Sequence, residues 1–110
     1  GKILMAYNNI NLIDYFSHFK NIKKNIKKIS IEIQEIKING FSIDDEEYED
    51  GIRCIAAPIY HPYQDRVSAI GISAPVNRLN YENIKKLSKI LKNSALTISN
   101  KIKENNERYV

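Results

Sequence analysis

Two apolar stretches, IRCIAAPIY at residues 52–60 and RVSAIGISA at residues 66–74, decide the fold of this chain. The short polar segment HPYQD at residues 61–65 separates them, and this spacing and composition predict a β-hairpin. Pro58 has no N–H to donate to a strand ladder. We therefore expect either a bulge or an unpaired edge of the first strand at that proline.

Alternation along the hairpin sorts its side chains between the two faces of a sheet. Ile52 and Cys54 lie on one face of the first strand, together with Ala56. Gly71 and Ser73, two positions apart in the second strand, can share that face once the strands pair. The pattern predicts a small concave site with an apolar floor, one thiol and one hydroxyl, which is suited to a ligand.

Helical patterns surround the hairpin. Residues 2–7 predict a short buried helix, and residues 10–16 predict a second one that ends near His18. Residues 26–38 fit both a strand and a helix, but thirteen residues exceed the usual strand of about five or six. Gly40 stands where a left-handed helix C-cap belongs, which favours a helix.

A short strand and a long helix complete the pattern. Residues 41–43 predict the strand, which leads into an acidic loop. Asn80 can cap the final helix, and residues 103–110 are polar enough to fray. The apolar stripe of this helix consists of Ile84, Leu87, Leu91, Ala95, Ile98 and Ile102.

Composition excludes several classes of protein. With 110 residues, 43% hydrophobic and 27% charged, the chain is typical of one folded domain. A single cysteine excludes an internal disulfide framework and a Cys/His zinc array, and it favours a reducing, cytoplasmic setting. No apolar run approaches the ~18 residues of a membrane span, and no basic-then-apolar leader opens the chain, so we expect no membrane partner.

The net charge of +4 includes a basic cluster at Lys20, Lys23, Lys24, Lys27 and Lys28. Such a cluster can neutralise phosphates and bind nucleic acid in a salt-dependent way. No aromatic side chain lies among these lysines to stack on bases, and no arginine offers a bidentate contact. A solvated loop and helix start is the competing interpretation.

The run DDEEYED at residues 44–50 places six carboxylates in seven positions. It lacks the alternate oxygen ligands, central glycine and final glutamate of an EF-hand loop. We expect a solvated acidic loop, ended by Gly51, with no metal ion and no other cofactor.

Candidates for catalysis are few: Cys54, His18, His61 and the acidic run. A thiol nucleophile at Cys54 activated by His61 is one alternative. However, Cys54 lies between apolar residues of a strand, where a thiol is usually a small hydrophobe rather than a thiolate. We expect no enzyme and no catalytic residue.

Several segments, in order, resemble one family. They are GKILMA at residues 1–6, GFSIDDEE at 40–47, GIRCIAAP at 51–58, SAP at 73–75 and Arg78-Leu79. Together they resemble the effector-binding domain of IclR-type transcriptional regulators, whose corresponding first helix has the sequence Gly-Lys-Ala-Leu-Leu-Ala. The resemblance covers nearly the whole chain.

The resemblance implies a partial GAF-like α+β fold: an antiparallel sheet flanked by helices, with a C-terminal hairpin and a long final helix. It implies that residues 1–110 are the C-terminal portion of an effector-binding domain that senses a small organic acid. The winged helix-turn-helix that binds DNA, and the first strands of the domain, are then expected before Gly1. It also implies a homodimer or homotetramer whose geometry and DNA affinity the effector controls.

By position in the family's motif, the pocket residues carry over to Asp44, Ile52, Cys54, Gly71 and Ser73. Ile52 is expected as an apolar wall, Asp44 as a hydroxyl acceptor, and Ser73 as a donor to a ligand carboxylate. The face shared by four of these residues agrees with the alternation described above.

The chain also departs from the family's pattern. Gly71 stands where some members that bind small 2-oxo acids have a second serine, which suggests a larger or less polar ligand. Ala74 replaces the glycine usual before Pro75, and the turn at residues 61–63 is atypical. Because Asp44 would repel a nearby carboxylate, a ligand that carries a hydroxyl or an amine instead is an alternative.

Overall fold

The computed structural model describes residues 1–8 and 26–108. The elements in these ranges are α1 (Lys2–Tyr7), α2 (Ile26–Asn39), β1 (Ser42–Asp45), β2 (Ile52–Tyr60), β3 (Val67–Pro75) and α3 (Tyr81–Arg108). The α+β class is confirmed. The predicted helix at residues 10–16, His18, and the lysines at positions 20, 23 and 24 lie outside the described residues.

The three strands form one antiparallel sheet in the order β1-β2-β3. The predicted hairpin is confirmed as β2 and β3, and their register continues through Pro58↔Ala69 without a bulge. β1 pairs with β2 only as far as Ser42↔Ala56. Within the described residues, no strand pairs with Pro58 on the side of β2 that β1 occupies, but the proline is buried rather than at an exposed edge.

One face of the sheet, which we call the α3 face, packs against helix α3. Its side chains in β2 are Arg53, Ile55, Ala57 and Ile59, and the last three belong to a buried apolar cluster. The predicted stripe of α3 supplies the other side of this cluster. Complete burial of one such aliphatic side chain contributes about 1.5–3 kcal/mol, so this cluster is a main source of stability.

Helix α3 extends beyond its apolar stripe at both ends. Asn80 caps it as predicted, since its Oδ1 accepts a hydrogen bond of 2.9 Å from the N–H of Asn83. The structure continues the helix to Arg108, into the stretch that was expected to fray.

The opposite face, which we call the site face, carries Ile52, Cys54 and Ala56 in β2. Helices α1 and α2 cover only part of it. Their buried residues Ile3, Met5, Ala6, Ile33 and Ile36 form a second cluster, which reaches the sheet at Ala56 and Val67. Among the described residues, the buried cluster of α1 and α2 does not reach the part of the site face beyond Ala56, toward Ile52; we call this the open part of the site face.

The ambiguous segment at residues 26–38 is a helix, as predicted. Gly40 ends it with a φ of +78°, and its N–H donates to the carbonyl oxygen of Ile36 at 2.7 Å. Only a residue that tolerates a left-handed backbone closes the helix in this way. Within residues 1–8 and 26–108, no helix has the length and apolar character needed to span a membrane.

Candidate functional site

Three of the predicted site residues form a row across the sheet. In the register of the strands, Asp44 lies opposite Cys54, and Cys54 lies opposite Ser73. Directly opposed residues of an antiparallel pair point to the same face. The carboxylate, the thiol and the hydroxyl therefore stand side by side on the site face.

The thiol and the hydroxyl are in contact. Cys54 Sγ and Ser73 Oγ are 3.0 Å apart, and either can donate the hydrogen bond. Cys54 is half-buried and Ser73 is exposed. This pair can therefore turn a donor or an acceptor toward a ligand that lies on the sheet.

The two remaining predicted residues flank this row. Ile52 is half-buried opposite Pro75, and Gly71 is exposed opposite Ala56. A Cβ atom at position 71 would lie 3.1 Å from the carbonyl oxygen of Ile55, which is closer than ordinary contact. A serine at this position would require the Ile55 carbonyl to shift by a few tenths of an ångström, and the glycine leaves the sheet surface bare beside Ser73.

Asp44 is held at the entrance to the acidic loop. It is half-buried, and its Oδ1 accepts a hydrogen bond of 2.9 Å from the N–H of Glu47. This bond holds one carboxylate oxygen of Asp44 in place at its end of the row. The carboxylate can accept a hydrogen bond from a hydroxyl or an amine, whereas it disfavours a second carboxylate nearby.

Other carboxylates of the loop anchor it to the helices. Glu46 Oε1 accepts from the N–H of Gly51 at 2.8 Å, and Glu47 Oε1 accepts from Lys2 Nζ at 2.7 Å. Lys2 Nζ also lies 2.9 Å from Glu32 Oε2 of α2. Burial disfavours the charge of Lys2, but the hydrogen bonds with Glu47 and Glu32 outweigh it and raise its pKa above the ordinary value. The loop is thus tied to α1 through Lys2, and Lys2 in turn is paired with α2 through Glu32.

The α3 face carries a polar network next to the site. Arg53 is buried, and its Nε and Nη2 atoms each lie 2.9 Å from Asp45 Oδ1. Its Nη1 donates to the carbonyl oxygen of Leu79 at 2.7 Å, and its guanidinium lies 4.6 Å from the ring centre of Tyr81. Tyr81 in turn donates to Asp45 Oδ2 at 2.9 Å. The network joins β1 and β2 to the start of α3.

The network also shifts the acidity of its members. Hydrogen bonds from Tyr81 and Arg53 hold the pKa of Asp45 below its ordinary value, and the same carboxylate raises the pKa of Tyr81. Sequence analysis missed this network. The sequence does contain a signal for it: alternation places Arg53 on the apolar face with Ile55 and Ala57. A guanidinium buried there requires hydrogen-bond partners.

The alternative of a thiol enzyme is wrong, because the structure does not bring Cys54 and His61 together. His61 Nε2 lies 2.8 Å from Ser68 Oγ, on the α3 face of β3. Ser68 pairs with Ile59, which is five residues from Cys54 in β2. Five residues of strand span about 17 Å. Lys27 and Lys28, the members of the basic cluster within the described residues, are exposed on α2.

A cavity of about 140 Å³ lies apart from the predicted site. It opens between α2 and the start of β1, and its lining comprises Lys2, Glu32, Glu35, Ile36, Asn39, Phe41 and Ile43. None of the five predicted site residues lines it. Those five lie instead on the open part of the site face.

Comparison with known sequences shows one family. The family described as the C-terminal domain of the bacterial transcriptional regulator IclR matches residues 1–100. An uncharacterized HTH-type transcriptional regulator of Haemophilus influenzae is 34% identical over 92 residues, which is 73% of this chain and 34% of that protein. The DNA-binding transcriptional repressor YiaJ of Escherichia coli is 30% identical over 111 residues, covering 93% of this chain and 39% of that protein. The chain spans little more than a third of these relatives.

Solved structures show the same similarity. The crystal structure of IclR from Thermotoga maritima superposes with a TM-score of 0.76 at 28% identity, covering 92% of this chain and 44% of that one. The crystal structure of the transcriptional regulator YaiJ superposes with a TM-score of 0.72 at 29% identity, covering 92% and 61%. The fold described above is therefore that of IclR C-terminal domains.

Proposed function

Because this chain belongs to the IclR family of bacterial transcriptional regulators, whose C-terminal domain matches its residues 1–100, we propose that it binds a small organic effector. The site is the open part of the site face, formed by Asp44, Ile52, Cys54, Gly71 and Ser73. The matched relatives are named as regulators and repressors. The family is thus one of transcription regulators rather than of enzymes.

The observation that carries the proposal is the row of Asp44, Cys54 and Ser73. Each of these side chains comes from a different strand, and the register places them together. Their surroundings are apolar and partly open, with Ile52 on one side and the bare backbone of Gly71 on the other. A few convergent polar groups on an apolar floor are typical of small-molecule sites.

The spacing of the row favours a ligand with polar groups at both ends. Neighbouring strands lie about 4.8 Å apart, so the backbones at Asp44 and Ser73 are separated by roughly 10 Å. A carboxylate belongs at the Ser73 end, because Asp44 repels it and Ser73 can donate to it. A hydroxyl or an amine belongs at the Asp44 end. A hydroxy acid meets both conditions and packs its carbon chain on Cys54.

In the full-length regulator, effector binding would change the geometry in which the subunits assemble. We propose a cytoplasmic homodimer or homotetramer that contacts DNA through a winged helix-turn-helix outside these 110 residues. An effector changes such an assembly only as far as it binds one geometry more tightly than another.

A thermal-shift screen tests the proposed site. The probes are lactate, pyruvate, benzoate and gluconate, which represent hydroxy, 2-oxo, aromatic and sugar acids. A ligand that binds only the folded chain raises its melting temperature. We expect a selective shift with gluconate, which carries hydroxyls far from its carboxylate, and none with lactate, whose single hydroxyl is on the carbon beside its carboxylate. Loss of one hydrogen bond of about 1 kcal/mol in Ser73→Ala should weaken binding roughly fivefold.

Two further variants sharpen this test. Cys54→Ala removes the partner of Ser73 and should also weaken binding. Ser68→Ala is the matched control, because it removes a hydroxyl from the same strand on the opposite face. A shift that persists unchanged in both Ser73→Ala and Cys54→Ala would exclude this site.

A further inference from the structure

Lys2, at the start of α1, joins parts of the chain that lie far apart in sequence. Its Nζ atom donates to the carbonyl oxygen of Ile43 in β1 at 2.9 Å and to Glu47 Oε1 of the acidic loop at 2.7 Å. It also lies 2.9 Å from Glu32 Oε2 of α2. These three partners are as many as the protons that a lysine ammonium can donate.

One of these partners connects Lys2 with the effector row. Glu47 donates its backbone N–H to Asp44 Oδ1 at 2.9 Å. Glu47 is therefore bound at two points, through its side chain to Lys2 and through its backbone to Asp44. The orientation of the Asp44 carboxylate thus depends on where the loop holds the N–H of Glu47.

The two members of the ion pair differ in burial. The side chain of Lys2 is 16% exposed, whereas that of Glu47 is 45% exposed. A largely buried ammonium must keep its partners, because an unpaired buried charge is costly. The carboxylate of Glu47 could instead be solvated if Lys2 were absent. Lys2 is therefore the fixed member of the pair, and Glu47 is the member that it holds.

We propose that Lys2 is a positioning residue of the effector site, where it holds Glu47 so that the N–H of Glu47 holds Asp44. The inference rests on the proposed function, because it concerns the Asp44 end of that site. With Oδ1 bonded to the loop, Oδ2 is the oxygen that accepts from the hydroxyl or amine of the effector. An acceptor oriented in advance loses less freedom when the ligand binds.

The positioning acts on one end of the ligand. Ser73, at the other end of the row, contacts Cys54 Sγ at 3.0 Å and makes no contact with Lys2 or Glu47 among the bonds of the described residues. Removal of the Lys2 ammonium should therefore weaken the contact with the hydroxyl end of the effector and leave the carboxylate end as it is.

Amide exchange measured by NMR tests this role without any ligand. Lys2→Met keeps much of the length of the side chain and removes the ammonium. We expect the amide of Glu47 to exchange about three- to fivefold faster, which corresponds to the loss of a partly exposed ion pair. Asp44→Ala removes the acceptor itself, so there the same amide should exchange at least as fast.

Glu47→Ala provides a second variant at an exposed position. It removes the carboxylate that Lys2 contacts and keeps the backbone N–H that Asp44 accepts. After correction for the intrinsic rate of the new residue, this amide should also exchange faster. Far-UV circular dichroism shows whether each variant is folded, and Glu47→Ala decides the matter if Lys2→Met is not.

The amide of Gly51 is the internal control. It belongs to the same loop and donates to Glu46 Oε1 at 2.8 Å, in a bond that does not involve Lys2. A positioning role predicts faster exchange at residue 47 and an unchanged rate at residue 51. Equal acceleration at both amides would overturn the proposal, because Lys2 would then only support the fold of the loop. An unchanged Glu47 amide in the folded variants would overturn it as well.

Titration with gluconate separates this proposal from the proposed function. We expect its Kd to rise about three- to fivefold in Lys2→Met. Lys37→Met is the matched control, because it removes the same charge from an exposed position of α2, and its Kd should equal that of the parent. An equal Kd in the parent and Lys2→Met would overturn the role of Lys2. A parent that does not bind gluconate would contradict the proposed ligand, and the two amides would still decide whether Lys2 positions Asp44.

Discussion

The buried guanidinium of Arg53 offers the most direct test of how the sheet is joined to α3. We consider the substitution Arg53→Met, which keeps much of the side-chain volume and removes every hydrogen bond. Arg53 is only 8% exposed, and its Nη1 donates to the carbonyl of Leu79, itself 1% exposed, at 2.7 Å. The substitution leaves that carbonyl buried without its donor.

The magnitude follows mainly from the Leu79 carbonyl. A buried polar group that loses its partner costs about 1–3 kcal/mol. Asp45 is 42% exposed, and Tyr81 is also exposed, so water replaces much of what these two partners lose. We therefore expect the free energy of unfolding to fall by about 1–3 kcal/mol.

Urea denaturation followed by far-UV circular dichroism measures this change. The midpoint should fall while the slope stays constant, because the surface exposed on unfolding is nearly the same. Arg66→Met is the matched control, since Arg66 is exposed beside the hairpin turn, and its effect should stay within about 0.5 kcal/mol. If Arg53→Met is as mild as this control, the argument from the buried carbonyl is refuted.

Three further predictions concern single residues. Gly40→Ala should cost about 1 kcal/mol in the same urea assay, because the φ of +78° suits glycine and strains alanine. The pKa of Asp45 is lowered by Tyr81 and Arg53, so its contribution is present above the ordinary value of 3.8 and is lost as pH falls through the folded value. In Asp45→Asn, the free energy of unfolding should therefore fall less steeply as pH is lowered through the acid range. An unchanged pH dependence would contradict this. Burial raises the pKa of Tyr7 from 10.0 to about 12, so stability should fall as pH rises between these values. Tyr7→Phe should reduce that fall when melting temperature is measured at a series of alkaline pH values. The same pH dependence in parent and variant would contradict this.

Much of the candidate site could be predicted from one strand pattern. Alternation in two apolar stretches placed Cys54 and Ser73 on one face, and the register confirms that they are opposite each other. The position of Asp44 came from family resemblance alone. Its place opposite Cys54 depends on the pairing of β1 with β2 across the acidic loop, which alternation within the hairpin does not specify.

The sequence by itself determined the elements whose signals are local: the hairpin, the end of α2 at Gly40 and the cap of α3 at Asn80. Strand alternation, a left-handed glycine and a capping asparagine act within a few residues, so they are visible in the order of amino acids. Tertiary structure decided how much of the site face α1 and α2 cover, the partners of Arg53, and the bonds between Asn8 and Val67 across 59 positions of chain. These features depend on which distant segments meet, and the free energy of packing the whole chain selects those contacts.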